Sequence, residues 1–351
     1  MLFDHPEFDH EQVLFAHDAA SGLRAIIAIH DRSLGPAAGG CRMRPYASDA
    51  EALTDVLRLS QGMTRKNALA GLPLGGGKSV IIADPRTQKT PELLRAFAGF
   101  VAELGGIYWT AEDIGMWADD VEVLAQHCDY IFGTISTGQH TGDPSAFTAA
   151  GCFAGLRACV RQVFGSDDLT GRTVAIQGVG NVGFALGRQL VDAGANLVVA
   201  DTDQASVQRA VTELGARAID VDQIGAVECD VLAPCAVGAT LNADTIPLLR
   251  TPIVCGVANN QLATTADGQL LHEAKILYAP DYVVNAGGML NASGDILGHH
   301  DPEQVAEKIA HIGEVMGQIA GRSATEDRPT NAIADDLADE VVRTARAATP
   351  R

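Results

Sequence analysis

Residues 172–203 read RTVAIQGVGNVGFALGRQLVDAGANLVVADTD, and this stretch constrains the fold more than any other. A short apolar strand, Val174 to Gln177, runs into Gly178, Gly180 and Gly183. A helix with Val182, Leu186 and Leu190 on one side follows, and a second strand, Leu197 to Ala200, stops at Asp201. Gly-x-Gly-x-x-Gly alone is a weak signal. Here it sits between a strand and a helix, with an acid roughly 20 residues on, as a dinucleotide-binding unit requires. The first glycine permits the tight turn, the second lets backbone approach a pyrophosphate, and the third lets helix and strand pack closely. Asn181 and Val182 open a helix whose unpaired N–H groups face the anion. Asp201 is suited to accept hydrogen bonds from a ribose diol and to repel a 2′-phosphate, which favours NAD over NADP. The competing reading is an α/β unit with a glycine turn and no ligand.

The fingerprint begins near the middle of a chain of 351 residues, so two domains are expected. The reading is α/β throughout: one domain over 1–136 and a Rossmann-type domain over 137–329. The segment STGQHTGDPS, 136–145, reads as the linker. No apolar run approaches the ~20 residues of a membrane span. The acidic start MLFDHPEFDHEQ lacks the basic-then-apolar order of a secretory signal. A formal net charge of −19 argues against nucleic acid or an anionic membrane as partner. Seven cysteines, scattered and without C-x-x-C, point to a reducing cytoplasm and no metal site.

Before the fingerprint, strands are expected at Val13–His17, Ala25–His30, Lys78–Ala83 and Ile107–Thr110. Ser48 to Glu51 fits a capping box, and the helix it starts carries Leu53, Val56, Leu59 and Met63 at helical spacing. Further helices begin at Thr90-Pro91, Trp117 and Ala146. Later strands are expected at Val231–Ala233, Ile253–Val257 and Val283–Val284. Helices near 303–320 and 331–347 are separated by SATEDRPT.

Lys66 falls on the apolar stripe with Leu59 and Met63, and lysines are rarely buried without a partner. Gly75-Gly76-Gly77 then reads as a loop delivering Lys78 to a strand start. A phosphate-binding P-loop is excluded, because its first glycine would fall at Leu72 and because a strand, not a helix, follows. Asp113 sits just past the strand IYWT, where α/β folds place reactive groups. Two lysines and an aspartate suit one site. One lysine would hold a carboxylate as a point charge, and the other would act as a base. Taken singly, each reads better as a surface ion pair.

Seven motifs in order carry a resemblance: LGPAAGGCRM (34–43), MTRKNALAGLPLGGGKS (63–79), YWTAEDIG (108–115), QGVGNVG (177–183), APCAVGA (233–239), GVANNQL (256–262) and YAPDYVVNAGG (278–288). Together they resemble the glutamate/leucine/phenylalanine/valine dehydrogenases, nearest to the leucine branch, from about residue 10 to about 345. The resemblance implies NAD-dependent oxidative deamination of an L-amino acid to a 2-oxo acid and ammonia. It implies two domains flanking a cleft, the first, 1–136 plus about 330–351, serving substrate binding and oligomerisation and the second, 137–329, binding NAD, and a homo-oligomer, octamer or dimer. It makes Lys78 the base, with Asp113 assisting proton transfer, and Lys66 the holder of the substrate carboxylate. Gly39 and Gly40 would leave room for substrate, with Met63, Ala111, Asn260, Met289 and Ala292 around it. Thr148, Ala236, Asn260 and Asn285 would meet the cofactor beside the fingerprint residues.

Substrate choice is divided. Ala38 before Gly-Gly is as in phenylalanine dehydrogenases, and Ala38 and Ala292 would open the pocket, whereas TAED (110–113) has the leucine-type form and Met289 would fill the pocket. Apolar amino acids, branched-chain first, are expected, with a phenylalanine preference as the alternative. A non-catalytic NAD-binding regulator is the rival of another class. The retained Lys66, Lys78 and Asp113 speak against it.

Overall fold

A computed structural model describes residues 4–134 and 144–348. The chain divides into two compact units, 1–142 with 292–301 and 338–351, and 143–291 with 302–337. The contacts therefore place 292–301 with the first unit and divide the C-terminal helix at 337/338. Most of the expected linker 136–145, residues 136–143, lies outside the described residues.

The first unit is built on β1 (Gln12–Asp18), β2 (Leu23–Asp31), β3 (Ala37–Ala38), β4 (Cys41–Arg44), β5 (Gly75–Ile82) and β6 (Tyr108–Trp109). Strand order is β1-β2-β5-β3-β6, with β4 also on β5. β1 and β2 form a hairpin closing at Asp18–Leu23, where Gly22 takes φ +76°. Three helices cover the sheet: α1 (Asp49–Leu69), α2 (Pro91–Glu103) and α3 (Ala118–Ala125). Ser48 caps α1 by accepting from the Glu51 N–H at 3.2 Å, but Glu51 reaches back to the Ala47 N–H, at 2.7 Å, not to that of Ser48. Thr90 caps α2 with Pro91 at its first turn.

Alternation on the pleat separates two cores. Ile26, Ala28 and Val80 pack against Ala52, Val56 and Leu57 of α1. On the other face Ala25, Ile27, Ile29 and Ile81 join Phe97, Val101, Tyr108 and Leu124. The glycine triplet was expected as a loop and is instead the first three residues of β5, so Lys78 lies within the strand. Close approach explains this. A Cβ on Gly76 would lie 2.1 Å from Thr64 Oγ1 and 2.2 Å from Thr64 N, and one on Gly75 would lie 2.1 Å from the Asp31 carbonyl. Backbone packs against backbone, and only glycine fits.

The second unit has β7 (Thr173–Gln177), β8 (Asn196–Ala200), β9 (Arg217–Ala218), β10 (Val231–Pro234), β11 (Ile253–Val254) and β12 (Leu277–Tyr278), all parallel in the order β12-β11-β10-β7-β8-β9. Chain order reverses between β7 and β10, which is the doubly wound arrangement with its switch point at those two strands. Around the sheet are α4 (Ser145–Phe164), α5 (Asn181–Asp192), α6 (Gln204–Leu214), α7 (Asp267–Glu273), α8 (Asp281–Val284) and α10 (Pro302–Glu326). α9 (Gly287–Leu297), which the sequence reading missed, runs from residues of this unit into residues of the first.

Two further expectations fail. Val283–Val284 is helical, because Leu277–Tyr278 already occupies that edge of the sheet and Val284 packs beneath Gly155 of α4. The first half of SATEDRPT is helix, since α10 continues to Glu326 and stops only where Asp327 takes φ +51°. α11 (Thr330–Ala348) follows and is fastened within the first unit by Arg346, whose Nη2 lies 2.7 Å from the fully buried Asp31.

Candidate active site

Neighbouring strands set the charged centre of the first unit. β4 pairs in parallel with β5, Arg42 opposite Val80, so Arg42 shares a face of the sheet with Lys78 two residues earlier. β3 and β4 are separated by Gly39-Gly40, beside Gly77-Lys78. Tyr108 runs beneath this point. Its buried hydroxyl donates to the Gly39 carbonyl at 2.8 Å and lies 2.9 Å from Ser79 Oγ. After β6 the chain continues along Gly40–Met43, with the Cys41 N–H donating to Ala111 at 2.9 Å and that of Met43 to Ile114 at 2.8 Å. Asp113 is thereby delivered to Lys78.

The Lys78 ammonium is buried and in direct ion-pair contact with Asp113 Oδ2. Arg42 Nη2 sits 3.7 Å from the same oxygen. The Ile114 N–H donates to Asp113 Oδ1 at 2.7 Å. Burial pushes the Asp113 carboxyl up, but Lys78, Arg42 and this amide together outweigh burial and hold it at about 2. It is therefore an anion at neutral pH. The neighbouring Cys41 thiol is pushed up to about 12, chiefly by burial, and is inert.

Gly39 and Gly40 are adjacent to Lys78, but the side chains they lack would not fill open space. A Cβ on Gly39 would lie 2.0 Å from the Gly77 carbonyl and 3.0 Å from Met63 Cγ, and one on Gly40 would lie 2.1 Å from the Glu112 carbonyl. Their first task is to let the strands close. Met63 and Lys66 lie half-buried on α1, at the margin of its buried line Val56, Ser60, Thr64 and Asn67. Ala111 is buried beside β4 and Ala292 is half-buried on α9.

The second unit carries the fingerprint residues. Gly178 leaves β7 at φ +98°, and a Cβ there would lie 2.6 Å from that of Ala236, which follows β10 across the switch point. A Cβ on Gly183 would lie 2.0 Å from the Gly178 carbonyl, which brings α5 against the turn. Gly180 is different. Nothing lies within 4 Å of its missing Cβ, and it precedes α5 with no side-chain cap. Asn181 is exposed and Val182 half-buried in the first turn. Asp201 directly follows β8 and is held by two backbone donors, Val179 N–H at 2.7 Å and Asp203 N–H at 2.9 Å. Open backbone amides with a fixed carboxylate beside them fit a dinucleotide.

Thr148 on α4 meets Gly288, whose Cβ would lie 2.6 Å from Thr148 Oγ1. Met289 is half-buried one residue on. Asn285 is buried and donates to Asn259 Oδ1 at 2.8 Å, while its own Oδ1 has no hydrogen-bond partner. Asn260 is exposed with φ +52°, and its N–H donates to Asp281 Oδ2 at 2.8 Å. Asp281, like Arg42, was not picked out from the sequence. The pattern offers one signal for Arg42, its position two residues after Gly-Gly in a strand.

A family model for the Glu/Leu/Phe/Val dehydrogenase dimerisation domain matches residues 10–137. A second, for glutamate/leucine/phenylalanine/valine dehydrogenase, matches 200–348. The leucine dehydrogenase of Bacillus subtilis (strain 168) is 46% identical over 346 residues, 98% of this chain and 95% of that relative. The valine dehydrogenase of Streptomyces coelicolor is 44% identical over 349 residues, 98% of this chain and 95% of its own. The crystal structure of L-tryptophan dehydrogenase from Nostoc punctiforme matches with a TM-score of 0.85 at 39% identity, covering 96% of this chain and 97% of that one. With such likeness along nearly its whole length, and with the α/β fold that the motifs implied, the chain belongs to the glutamate/leucine/phenylalanine/valine dehydrogenase family of amino-acid dehydrogenases.

Proposed function

We propose that this enzyme oxidatively deaminates apolar L-amino acids, leucine and other branched-chain substrates first, with NAD as oxidant. The observation that carries the reading is the buried Lys78 paired with an ionised Asp113, in a chain of this family. Amino acid, water and NAD become 2-oxo acid, ammonium and NADH with release of one proton, and the reaction is reversible. The bound nicotinamide supplies the acceptor for the hydride from Cα. Gly178, Gly180, Asn181, Val182 and Gly183 would hold the pyrophosphate, Asp201 the adenosine ribose, and Thr148, Ala236 and Asn285 the nicotinamide half.

Lys78 takes a proton from the substrate nitrogen as Cα is oxidised, and then assists water in adding to the imine carbon. Asp113, held at about 2, is a poor store for a proton at neutral pH. Its part is to fix Nζ and to stabilise Lys78 when charged. In the first unit Lys66 would hold the substrate carboxylate, with Met63, Ala111 and Ala292 lining the substrate side chain near Gly39 and Gly40; in the second, Asn260 and Met289 keep the substrate-binding roles that the resemblance implies.

A leucine and a valine dehydrogenase among the relatives support a branched-chain substrate. The likeness to a tryptophan dehydrogenase favours the second reading, an aromatic preference. A methylene's difference in pocket shape discriminates by only ~1–3 kcal/mol, so both substrate classes belong in the assay. A cytoplasmic location is supported by seven free thiols, and a homo-oligomer by the match to a dimerisation domain. No helix among the described residues is long and apolar enough to cross a membrane.

The test follows NAD reduction with L-leucine and L-phenylalanine, comparing kcat/KM, for the wild type and Lys78→Ala. Expected are a leucine preference and, in the variant, loss of about 10³-fold or more in kcat with NAD still bound. A phenylalanine preference would move the substrate assignment. Unchanged turnover in Lys78→Ala would remove its role as base.

A further inference from the structure

Asp113 is shared. Its Oδ2 contacts Lys78 and also faces Arg42 at 3.7 Å. Arg42 in turn is held from the other side. Its Nη1 donates to both carboxylate oxygens of Asp55, each at 3.2 Å. The Tyr46 hydroxyl donates to Asp55 Oδ2 at 2.7 Å, and Arg44 Nε lies 3.8 Å from that oxygen. Arg42 is 8% exposed, so little water screens the arrangement. The order from the reacting lysine outward is cation, anion, cation, anion: Lys78 on β5, Asp113 after β6, Arg42 on β4, Asp55 on α1.

Neither outer residue is needed to hold Lys78 in place, because the lysine and its aspartate already touch. The outer pair does something else. Arg42 takes part of the Asp113 field that would otherwise act wholly on Lys78, and Asp55 limits how much it takes. Resting on the reading of Lys78 as the base, we infer that Arg42 and Asp55 are positioning residues that act through Asp113 to set the pH at which Lys78 becomes free to accept a proton.

Among the described residues, other charged or titratable groups near this line include Cys41 on β4, which remains a thiol, Arg44 at the end of β4 with Tyr46 beyond it, Glu51 on α1, which pairs with Arg44 at 3.1 Å, Tyr108 on β6, pushed far up by burial, Asp120 on α3, and His30, on the face of β2 that carries Ala28 opposite Lys78. Asp120 is held by the Lys89 ammonium at 2.5 Å and by the Trp117 N–H at 2.8 Å. These groups are common to every variant below, so differences between variants report Arg42 and Asp55.

The experiment is the pH profile of kcat/KM for L-leucine and NAD in the full-length enzyme. The variants are Arg42→Gln, Arg42→Lys, Asp55→Asn and Lys78→Ala, with melting temperature and NAD affinity measured on each. Removing the Arg42 charge leaves Asp113 acting undiluted on Lys78, so the acidic limb moves to higher pH, by about half a unit to one unit. Removing the Asp55 charge releases Arg42 onto Asp113, so the limb moves to lower pH, by roughly a third of a unit. Arg42→Lys restores the limb toward wild type, since it keeps the charge.

Opposite displacements with NAD affinity unchanged are the expected result. If Arg42→Gln fails to fold, Arg42→Lys and Asp55→Asn still give the contrast between charge kept and charge lost. Limbs that stay in place, or that move the same way in Arg42→Gln and Asp55→Asn, would overturn the inference while Lys78→Ala remains inactive. Turnover in Lys78→Ala would instead overturn the reading on which it rests.

Discussion

In the first unit three consecutive glycines lie inside a buried strand, Gly75 to Gly77. In the second, Gly178 and Gly180 lie between a strand and a helix. The first set is enclosed by protein: Thr64 at Gly76, Asp31 at Gly75, and the Tyr108 ring 2.7 Å from where a Gly77 Cβ would be. Gly180 in the second set has open space. One residue type thus serves two ends. In β5 it allows α1 and the sheet to approach until Lys78 is buried beside Asp113. At the head of α5 it leaves backbone amides uncovered for an anion.

The comparison can be broken most severely at Gly76. Gly76→Ala places a methyl against the Thr64 backbone, and a destabilisation of about 3 kcal/mol or more is expected, up to failure to fold. Urea unfolding measures it. A stable Gly76→Ala with full activity would show that the close approach is not required.

Acid separates the units by their titrating groups. Burial, then His30, lowers the His10 imidazole to about 4 in the first unit. His10 is neutral when folded and takes up a proton more readily when unfolded, near 6.5. Its contribution is therefore intact above 6.5 and lost as pH falls toward 4, by about 2–3 kcal/mol. Asp113 adds a loss between its ordinary range near 3.8 and about 2. Both tryptophans, Trp109 and Trp117, belong to the first unit, so their fluorescence reads it alone. A transition in tryptophan fluorescence that precedes loss of far-ultraviolet helicity on acidification is expected. Coincident transitions, unchanged in His10→Gln, would rule out the histidine as the cause.

Gly180→Ala is the counterpart of Gly76→Ala. Its φ of −63° suits alanine and no atom stands in the way, so stability should change by no more than about 0.5 kcal/mol. NAD affinity should fall about tenfold, because the methyl occupies the approach to the amides. Calorimetric titration with NAD decides. Unaltered affinity would mean that the pyrophosphate does not rest there.

The smallest effect is expected at Asp201→Asn. The side-chain oxygen still accepts from Val179 or Asp203, but the charge that opposes a 2′-phosphate is gone. The preference for NAD over NADP in kcat/KM should drop by roughly tenfold or less. Equal use of both cofactors by the wild type would defeat the assignment outright.

The second unit was more legible than the first. Its strands β7 and β8 fell where apolar runs ended at glycine or aspartate, and β10 where one began after Asp230, because a parallel sheet buried on both faces writes itself as short apolar runs. Val283–Val284 misled for the same reason. β-branched residues suggest a strand, but Pro280 and the filled sheet edge favour one helical turn. In the first unit the glycine triplet read as a loop, since glycine disfavours strands in isolation. β3 and β4, of two and four residues, carry too little pattern to be seen.

By itself the amino-acid sequence determined the class of the molecule. Spacing of glycines, a strand-terminating acid and several motifs in order are local features, and local features are written along the chain. It also singled out Lys78 and Asp113 as chemistry-bearing. The tertiary structure alone decided that these two touch, that Arg42 and Asp55 continue the line of charges, and that Gly39 and Gly40 face backbone. Those relations join β4, β5, α1 and the turn after β6, whose residues lie up to 71 positions apart, from Arg42 to Asp113. Charge interaction depends on distance and burial, and neither is a property of sequence spacing.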